Sequence, residues 1–104
     1  WFAGELSYLC KRLKQTPEPG GDGTMFDNTI IVWVNELGKG NNHTLNNIPF
    51  TIIGGGLDVK MGRALQMPDV THNRLLMTIA NAFGHELKSF GEEKLSVGGA
   101  LDLS

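Results

Sequence analysis

The chain has 104 residues, enough for one domain at most, because single cores usually hold roughly 100–200 residues. Hydrophobic residues make up 40% of it and charged residues 19%, as in ordinary globular proteins, and the net charge of -2 gives no basic surface for nucleic acid or an anionic membrane. No apolar run approaches the roughly 18–20 residues that cross a bilayer, so no membrane span is predicted.

The first element in chain order is a helix from Phe2 to about Gln15. Its apolar residues recur at helical spacing and predict one buried stripe on a surface helix: Phe2, Leu6, Leu9, Cys10 and Leu13. Cys10 is the one cysteine, and we expect a buried free thiol. Because the sequence starts with Trp1 and enters this helix at once, we expect it to be a fragment of a longer chain.

Two strands are predicted in the middle of the sequence, after a loop of prolines and glycines at 16–23. Residues 28–34 (Asn-Thr-Ile-Ile-Val-Trp-Val) are β-branched and aromatic without alternation, which is typical of a strand covered on both faces in a parallel sheet. Residues 48–53 predict a second buried strand, which the glycines at 54–56 end. Residues 59–67 suggest a further short strand or hairpin.

A second helix follows, and it has the clearest signals of the chain. Asp69 or Thr71 can cap its start, and Gly84 can end it in the left-handed conformation. Its apolar face is predicted to consist of Leu75, Leu76, Ile79, Ala80 and Phe83. The tail at 96–103 is predicted to form a terminal strand or to pack as a loop.

These elements predict an α/β fold in which two helices pack on a small, mostly parallel sheet. Strands buried on both faces need helices above and below and further strands at their edges, and this chain offers few of either. We therefore expect residues 1–104 to be the C-terminal portion of a single larger α/β domain. The missing helices and edge strands are expected to come from an absent N-terminal part or from another subunit. If the chain folds alone, we expect it to self-associate through its exposed sheet edges.

Glu36 and His43 are the residues best placed for chemistry. Glu36 follows the first strand, His43 lies in the polar loop after it, and ligands of open parallel sheets bind beyond the carboxyl ends of the strands. A carboxylate and an imidazole can ligate a divalent metal or act as an acid and base pair. Two protein ligands are too few for a metal site, and the plain alternative is a solvated loop glutamate and a surface histidine.

Four other features have structural explanations. The glycines at 54–56 predict a tight turn, because neither a GxGxxG nor a P-loop pattern accompanies them. Arg63 is expected to form a surface salt bridge. His72 is expected in the first turn of the helix, in a surface or cap-side role. His85 is expected just past the helix end, as a favourable C-terminal cation or a solvent-facing residue.

The residues from 30 to 55 resemble a known superfamily. His43 and Thr44 precede the strand Ile48-Pro-Phe-Thr-Ile-Ile53, which ends in glycine, and the earlier strand ends in Asn35-Glu-Leu-Gly38. This order is similar to the late signature of the alkaline phosphatase superfamily. The resemblance implies a partial three-layer sandwich, with Glu36 on a metal-binding aspartate position and His43 on a metal-binding histidine position. Leu37 falls on a further metal-binding histidine and cannot ligate.

The whole chain, from about Leu6 to Leu103, also resembles the C-terminal third of a family of exported bacterial proteins distantly related to that superfamily. The match includes Met25-Phe-Asp-Asn-Thr29, Gly62-Arg63 and Ser89-Phe-Gly91. It implies a periplasmic or cell-envelope location but brings no activity of its own. The resemblance to the alkaline phosphatase superfamily implies a parent that hydrolyses phosphate or sulfate esters with a divalent metal such as zinc, manganese or calcium. The alternative is a non-catalytic structural or binding module with a decayed metal site, of which Leu37 is the sign.

Overall fold

The computed structural model describes residues 1–104 and shows a mixed α/β chain. The elements are α1 (Phe2–Gln15), β1 (Ile31–Val34), β2 (Phe50–Ile53), α2 (His72–Ala82) and a 3-10 turn (Glu93–Leu95). The chain divides into two compact units, the N-terminal unit Trp1–Leu57 and the C-terminal unit Asp58–Ser104. Both helices and both middle strands lie where the sequence predicts them.

The sheet is antiparallel, so the prediction of a mostly parallel sheet is wrong. It has two strands, in which Ile31 pairs with Ile53 and Val34 pairs with Phe50. Residues 59–67 add no strand. An apolar run without alternation indicates burial on both faces but carries no information about the direction of its neighbour. A loop between consecutive strands permits the antiparallel return, whereas parallel strands need a crossover that is usually a helix, and residues 35–49 form no helix.

β1 is also less covered than predicted. Trp33 is 43% exposed and Val34 is 45% exposed. Because successive residues of a strand point to opposite faces, both faces are accessible at this end of β1. The layered alkaline-phosphatase-like sandwich implied by the resemblance is not shown by this structure.

α1 has the predicted bounds but not the predicted burial. Leu6, Cys10 and Leu13 are half-buried, so the thiol of Cys10 is free but not fully buried. Phe2 is 72% exposed and Leu9 is 45% exposed. The C-terminal end of α1 contacts the segment that precedes β1, since the ammonium of Lys14 lies 4.6 Å from the centre of the Phe26 ring.

The N-terminal unit is held together by close backbone contacts where β2 ends. The backbone N–H of Gly55 donates to the carbonyl of Phe26 (3.1 Å), and that of Gly56 donates to Thr29 (3.4 Å). A Cβ at Gly54, whose φ is 124°, would lie 1.9 Å from the carbonyl oxygen of Thr29. Only glycine fits there. This confirms the tight-turn interpretation of residues 54–56, since two of their N–H groups are already used by carbonyls.

The C-terminal unit contains the buried apolar side chains. Met77 is 1% exposed and Leu103 is 8% exposed. Met77 was absent from the predicted apolar face of α2, whereas Phe83, which was assigned to it, is 60% exposed. Arg74 and Thr78, which bond to the tail, also lie outside the predicted stripe.

The ends of α2 follow the sequence signals in part. Gly84 has φ 87°, its N–H donates to Asn81, and the N–H of His85 donates to Ala80, which is the Schellman arrangement. Thr71 is the N-cap residue but makes no side-chain cap. Its hydroxyl donates instead to the carbonyl of Leu95 in the tail.

The tail of the C-terminal unit packs as a loop, one of the two predicted outcomes. The guanidinium of Arg74 donates to the carbonyls of Gly99 (2.7 Å) and Gly98 (3.1 Å). The hydroxyl of Thr78 accepts the N–H of Leu101 (2.7 Å). No helix of the structure has the length and apolarity to cross a membrane.

Candidate functional site

The candidate site lies in the connection between β1 and β2. Glu36 is two residues beyond the end of β1, and His43 is in the turn that leads back towards β2. The N–H of Gly38 donates to the carbonyl of Thr44 over 2.8 Å, and Lys39 forms an isolated antiparallel bridge with Thr44. These bonds close residues 38–44 into a small loop, with His43 inside it and Glu36 just before it.

Glycine is required where this loop closes. A Cβ at Gly38 would lie 1.7 Å from the carbonyl oxygen of Asn46, far inside van der Waals contact. Gly40, by contrast, has nothing within 4 Å of such an atom. Glycine is therefore needed at position 38 because the backbone there passes close to the backbone of Asn46.

His43 adopts a backbone conformation that side chains rarely take. Its φ is 52°, and Asn47 in the same loop has φ 56°. The left-handed region costs a residue other than glycine on the order of 1 kcal/mol, although asparagine, aspartate and histidine enter it more often than other residues do. The bond between Gly38 and Thr44 stabilises the loop in which His43 has this conformation.

Both candidate side chains are exposed. Neither Glu36 nor His43 makes a side-chain hydrogen bond or an ion pair within the chain. Leu37, between them in sequence, is half-buried and offers no ligand atom. The loop thus presents one carboxylate and one imidazole that are available for an external partner.

The sheet is antiparallel, so the location of Glu36 and His43 does not follow from the rule that ligands bind beyond the carboxyl ends of strands. That rule applies to open parallel sheets. Here the carboxyl end of β1 lies beside the amino end of β2, since Val34 pairs with Phe50. Glu36 and His43 are brought to the same end of the sheet because they share one hairpin connection, not because two strands point the same way.

The structure contains no group of three or more histidine, cysteine, aspartate or glutamate side chains placed to hold a metal ion. A protein metal site normally uses three or four protein ligands, or fewer with water completing the shell. Glu36 and His43 therefore make up, at most, part of a ligand set within residues 1–104.

The carboxylate of Asp27 lies outside this loop and is already engaged within the chain. Asp27 accepts the backbone N–H of Thr24 (2.7 Å) and its hydroxyl (2.9 Å) through one oxygen, Oδ2. These two bonds, the backbone bond first, lower the pKa of Asp27 below its ordinary value. Asp27 fixes the turn before β1, and its Oδ2 accepts both of these hydrogen bonds.

The remaining predicted residues are structural or solvent-facing. Arg63 makes no salt bridge, contrary to prediction, and donates through Nη2 to the carbonyl of Leu103 (2.7 Å). His72 begins α2 and is half-buried, so it is not a simple surface residue. His85 is exposed, as predicted, and lines a shallow depression of about 490 Å³ at the end of α2 with Asn81 and Lys88.

Sequence reasoning missed the polar side chains that attach the tail of the C-terminal unit. Arg74 and Thr78 on α2 and Ser96 in the tail all bond to backbone groups, and Ser96 is only 5% exposed. Their one signal in the sequence is that Arg74 and Thr78 are spaced four residues apart around Met77. Two polar residues beside an apolar one on the same helix face can indicate that the helix packs against a segment whose backbone groups accept or donate hydrogen bonds.

No family model, curated protein or solved structure matches this chain.

Proposed function

We propose that the hairpin loop supplies two ligands, Glu36 and His43, to a divalent-metal site of an alkaline-phosphatase-like α/β domain. The domain hydrolyses phosphate or sulfate esters in the periplasm or cell envelope. The observation that carries the proposal is the left-handed conformation of His43 in a closed loop with an unengaged side chain. Unfavourable backbone geometry at an exposed, chemically versatile residue supports a functional interpretation. The location rests on the resemblance alone.

The chemistry follows from the two donor groups. The carboxylate of Glu36 supplies oxygen and the imidazole of His43 supplies nitrogen, a combination that suits zinc or manganese. A bound ion of this kind polarises an ester oxygen and lowers the pKa of a nucleophile. This chain supplies the two ligands, and the hydrogen bond between Gly38 and Thr44 limits the movement of the loop that carries them. The other ligands and the nucleophile must come from outside the loop.

A second function is supported by Leu37. Its position in the resemblance belongs to a ligand, but it is apolar and half-buried in this structure. In this reading the loop is a structural or binding element of the cell envelope without a metal, and Leu37 contributes to packing. The two readings differ in one property, which is whether the loop binds a metal ion.

Paramagnetic broadening of amide signals by Mn²⁺ measures this property, because it detects weak, incomplete sites. We expect broadening at residues 36–44 in the wild-type chain, weaker broadening in Glu36→Gln and in His43→Asn, and none in the double variant. Asparagine tolerates the left-handed region, so His43→Asn removes the imidazole and keeps the loop. The matched control is His85→Asn, which replaces another exposed histidine and should leave the broadening unchanged.

Absence of broadening at residues 36–44 in the wild type would overturn the metal site and favour the structural reading. The same holds if the double variant broadens as the wild type does. If His85→Asn abolishes the effect, the site has been placed in the wrong loop.

A further inference from the structure

Residues 61–69 form the longest run of consecutive exposed residues in the chain. They contain no helix or strand, and no backbone N–H or C=O group of residues 61–66 forms a hydrogen bond within the chain. Just before the run, the N–H of Lys60 donates to the carbonyl of Leu103 over 3.0 Å. Exposed backbone without hydrogen bonds opens at almost no cost in free energy. The segment 61–66 is therefore accessible to an enzyme that must bind the backbone itself.

Arg63 lies in the middle of this segment and is its one charged residue. Its neighbours Gly62 and Ala64 are small, and a Cβ added at Gly62 would meet nothing within 4 Å. The guanidinium makes one hydrogen bond, from Nη2 to the carbonyl of Leu103 (2.7 Å), and pairs with no carboxylate. A carboxylate that binds a guanidinium through two parallel bonds is a stronger acceptor than one carbonyl. The side chain can therefore exchange its present partner for such a site.

We infer that the segment 61–66 is a cleavage site for an endoprotease that is specific for arginine and lysine, and that the bond cut is the one between Arg63 and Ala64. A protease pairs its own backbone with an extended substrate strand, and this segment can extend without losing a hydrogen bond of its own. A carboxylate in the specificity pocket holds the guanidinium. The reaction consumes one water, whose hydroxyl joins the carbonyl carbon of Arg63 and whose proton goes to the nitrogen of Ala64 as the C–N bond breaks.

The other basic residues lie where the backbone is already bonded. The helices and the 3-10 turn contain Lys11, Arg12, Lys14, Arg74 and Lys94. Cleavage at these positions requires the element to open first, so its rate falls with the population of the open form.

The basic residues of the loops are also less suitable than Arg63. Lys39 lies within the closed loop 38–44. Lys88 follows Leu87, whose N–H and carbonyl both bond to one asparagine side chain. Lys60 adjoins the segment, but its own N–H, which a protease would need to pair with, is already bonded. The bond after Arg63 is therefore expected to be cut first.

Cleavage between Arg63 and Ala64 would break no helix or strand. The product 1–63 keeps both strands and the glycine turn, and the product 64–104 keeps α2 with its bonds to the tail. The cut lies close to the border of the two compact units, which falls between Leu57 and Asp58. The reaction would thus divide the chain into two parts that retain their secondary structure.

A time course of limited digestion of the folded chain with trypsin, followed by intact-mass spectrometry, tests this site. We expect 1–63 and 64–104 as the first products of the wild type. In Arg63→Gln the intact chain should disappear at least about tenfold more slowly, because every remaining site needs local opening. The matched control Lys88→Gln changes another exposed basic residue and should be digested at the wild-type rate.

Loss of the bond from Arg63 to Leu103 can only loosen the fold and speed digestion, so slower digestion of Arg63→Gln cannot arise from misfolding. Subtilisin, which has broad specificity, tests the exposure of the segment separately and should first cut within residues 61–66 in the wild type and in Arg63→Gln. First tryptic cleavage after any other basic residue, or equal digestion rates of Arg63→Gln and the wild type, would overturn the inference. A first subtilisin cut outside the segment would do the same.

Discussion

Backbone packs against backbone in the N-terminal unit, whereas side chains hold the C-terminal unit together. In the first, Gly54 lies against the carbonyl of Thr29 and leaves no room for a Cβ, and no apolar side chain is fully buried. In the second, Met77 is buried, and Arg74 and Thr78 bond to the tail. The difference shows that apolar composition does not decide how a segment is stabilised, since the unit that contains both apolar strands has no buried apolar side chain.

The two helices illustrate the same contrast. Both have an amphipathic sequence, yet α1 buries no residue and α2 buries Met77. An amphipathic stripe predicts that a helix has an apolar side, but its burial depends on what the rest of the chain supplies.

The largest expected effect concerns the side-chain core of the C-terminal unit. Met77→Ala removes the most buried side chain and leaves a cavity, so the free energy of unfolding should fall by about 2–5 kcal/mol. Chemical denaturation followed by circular dichroism at 222 nm measures it. Leu13→Ala, at a half-buried position of α1, is the control and should cost clearly less. Equal losses for both variants would contradict the contrast between the helices.

The next effect tests the backbone packing of the N-terminal unit. Gly54→Ala puts a methyl group 1.9 Å from the carbonyl oxygen of Thr29, at a φ of 124°. The turn must shift, and we expect a loss of about 1–3 kcal/mol with faster amide exchange in β2. Gly40→Ala, which meets nothing within 4 Å, is the matched control and should be close to neutral. Indistinguishable stabilities of the two alanine variants would show that the contact does not constrain the turn.

The smallest effect is the pH dependence of the turn before β1. Hydrogen bonds from Thr24 lower the pKa of Asp27 in the folded chain below the ordinary value of 3.8. Its contribution to stability is therefore present above that value and is lost as the pH falls through the lower folded-state pKa. Unfolding midpoints in urea, measured from neutral pH to below 3.8, should fall less in Asp27→Asn than in the wild type. Parallel pH profiles for the two proteins would contradict this assignment.

The sequence predicted what local chemistry determines. The bounds of α1 match its apolar spacing, and the stop of α2 at Gly84 follows from the preference of glycine for the left-handed conformation. Both strands lie within the predicted ranges, because β-branched runs between turn residues leave few alternatives. In the structure each strand is shorter than predicted.

What the sequence could not predict depends on partners distant along the chain. The antiparallel pairing of β1 with β2 and the burial of Met77 are set by the segments that lie beside them. For the candidate site, the placement of Glu36 and His43 in the loop after β1 was predictable. The left-handed backbone of His43 and the closure by Gly38 were not, since several turn geometries suit such a polar, glycine-containing loop. Their role as metal ligands stays a prediction.

The bonds from Arg74 to the carbonyls of Gly98 and Gly99 attach two consecutive residues of the tail to α2 through one side chain. A guanidinium is a planar fork of N–H donors, whereas the ammonium of lysine is a compact point charge on a flexible stem. Lysine at this position would keep the charge and lose the paired geometry. The attachment of the tail therefore depends on the shape of the donor group and not on its charge alone.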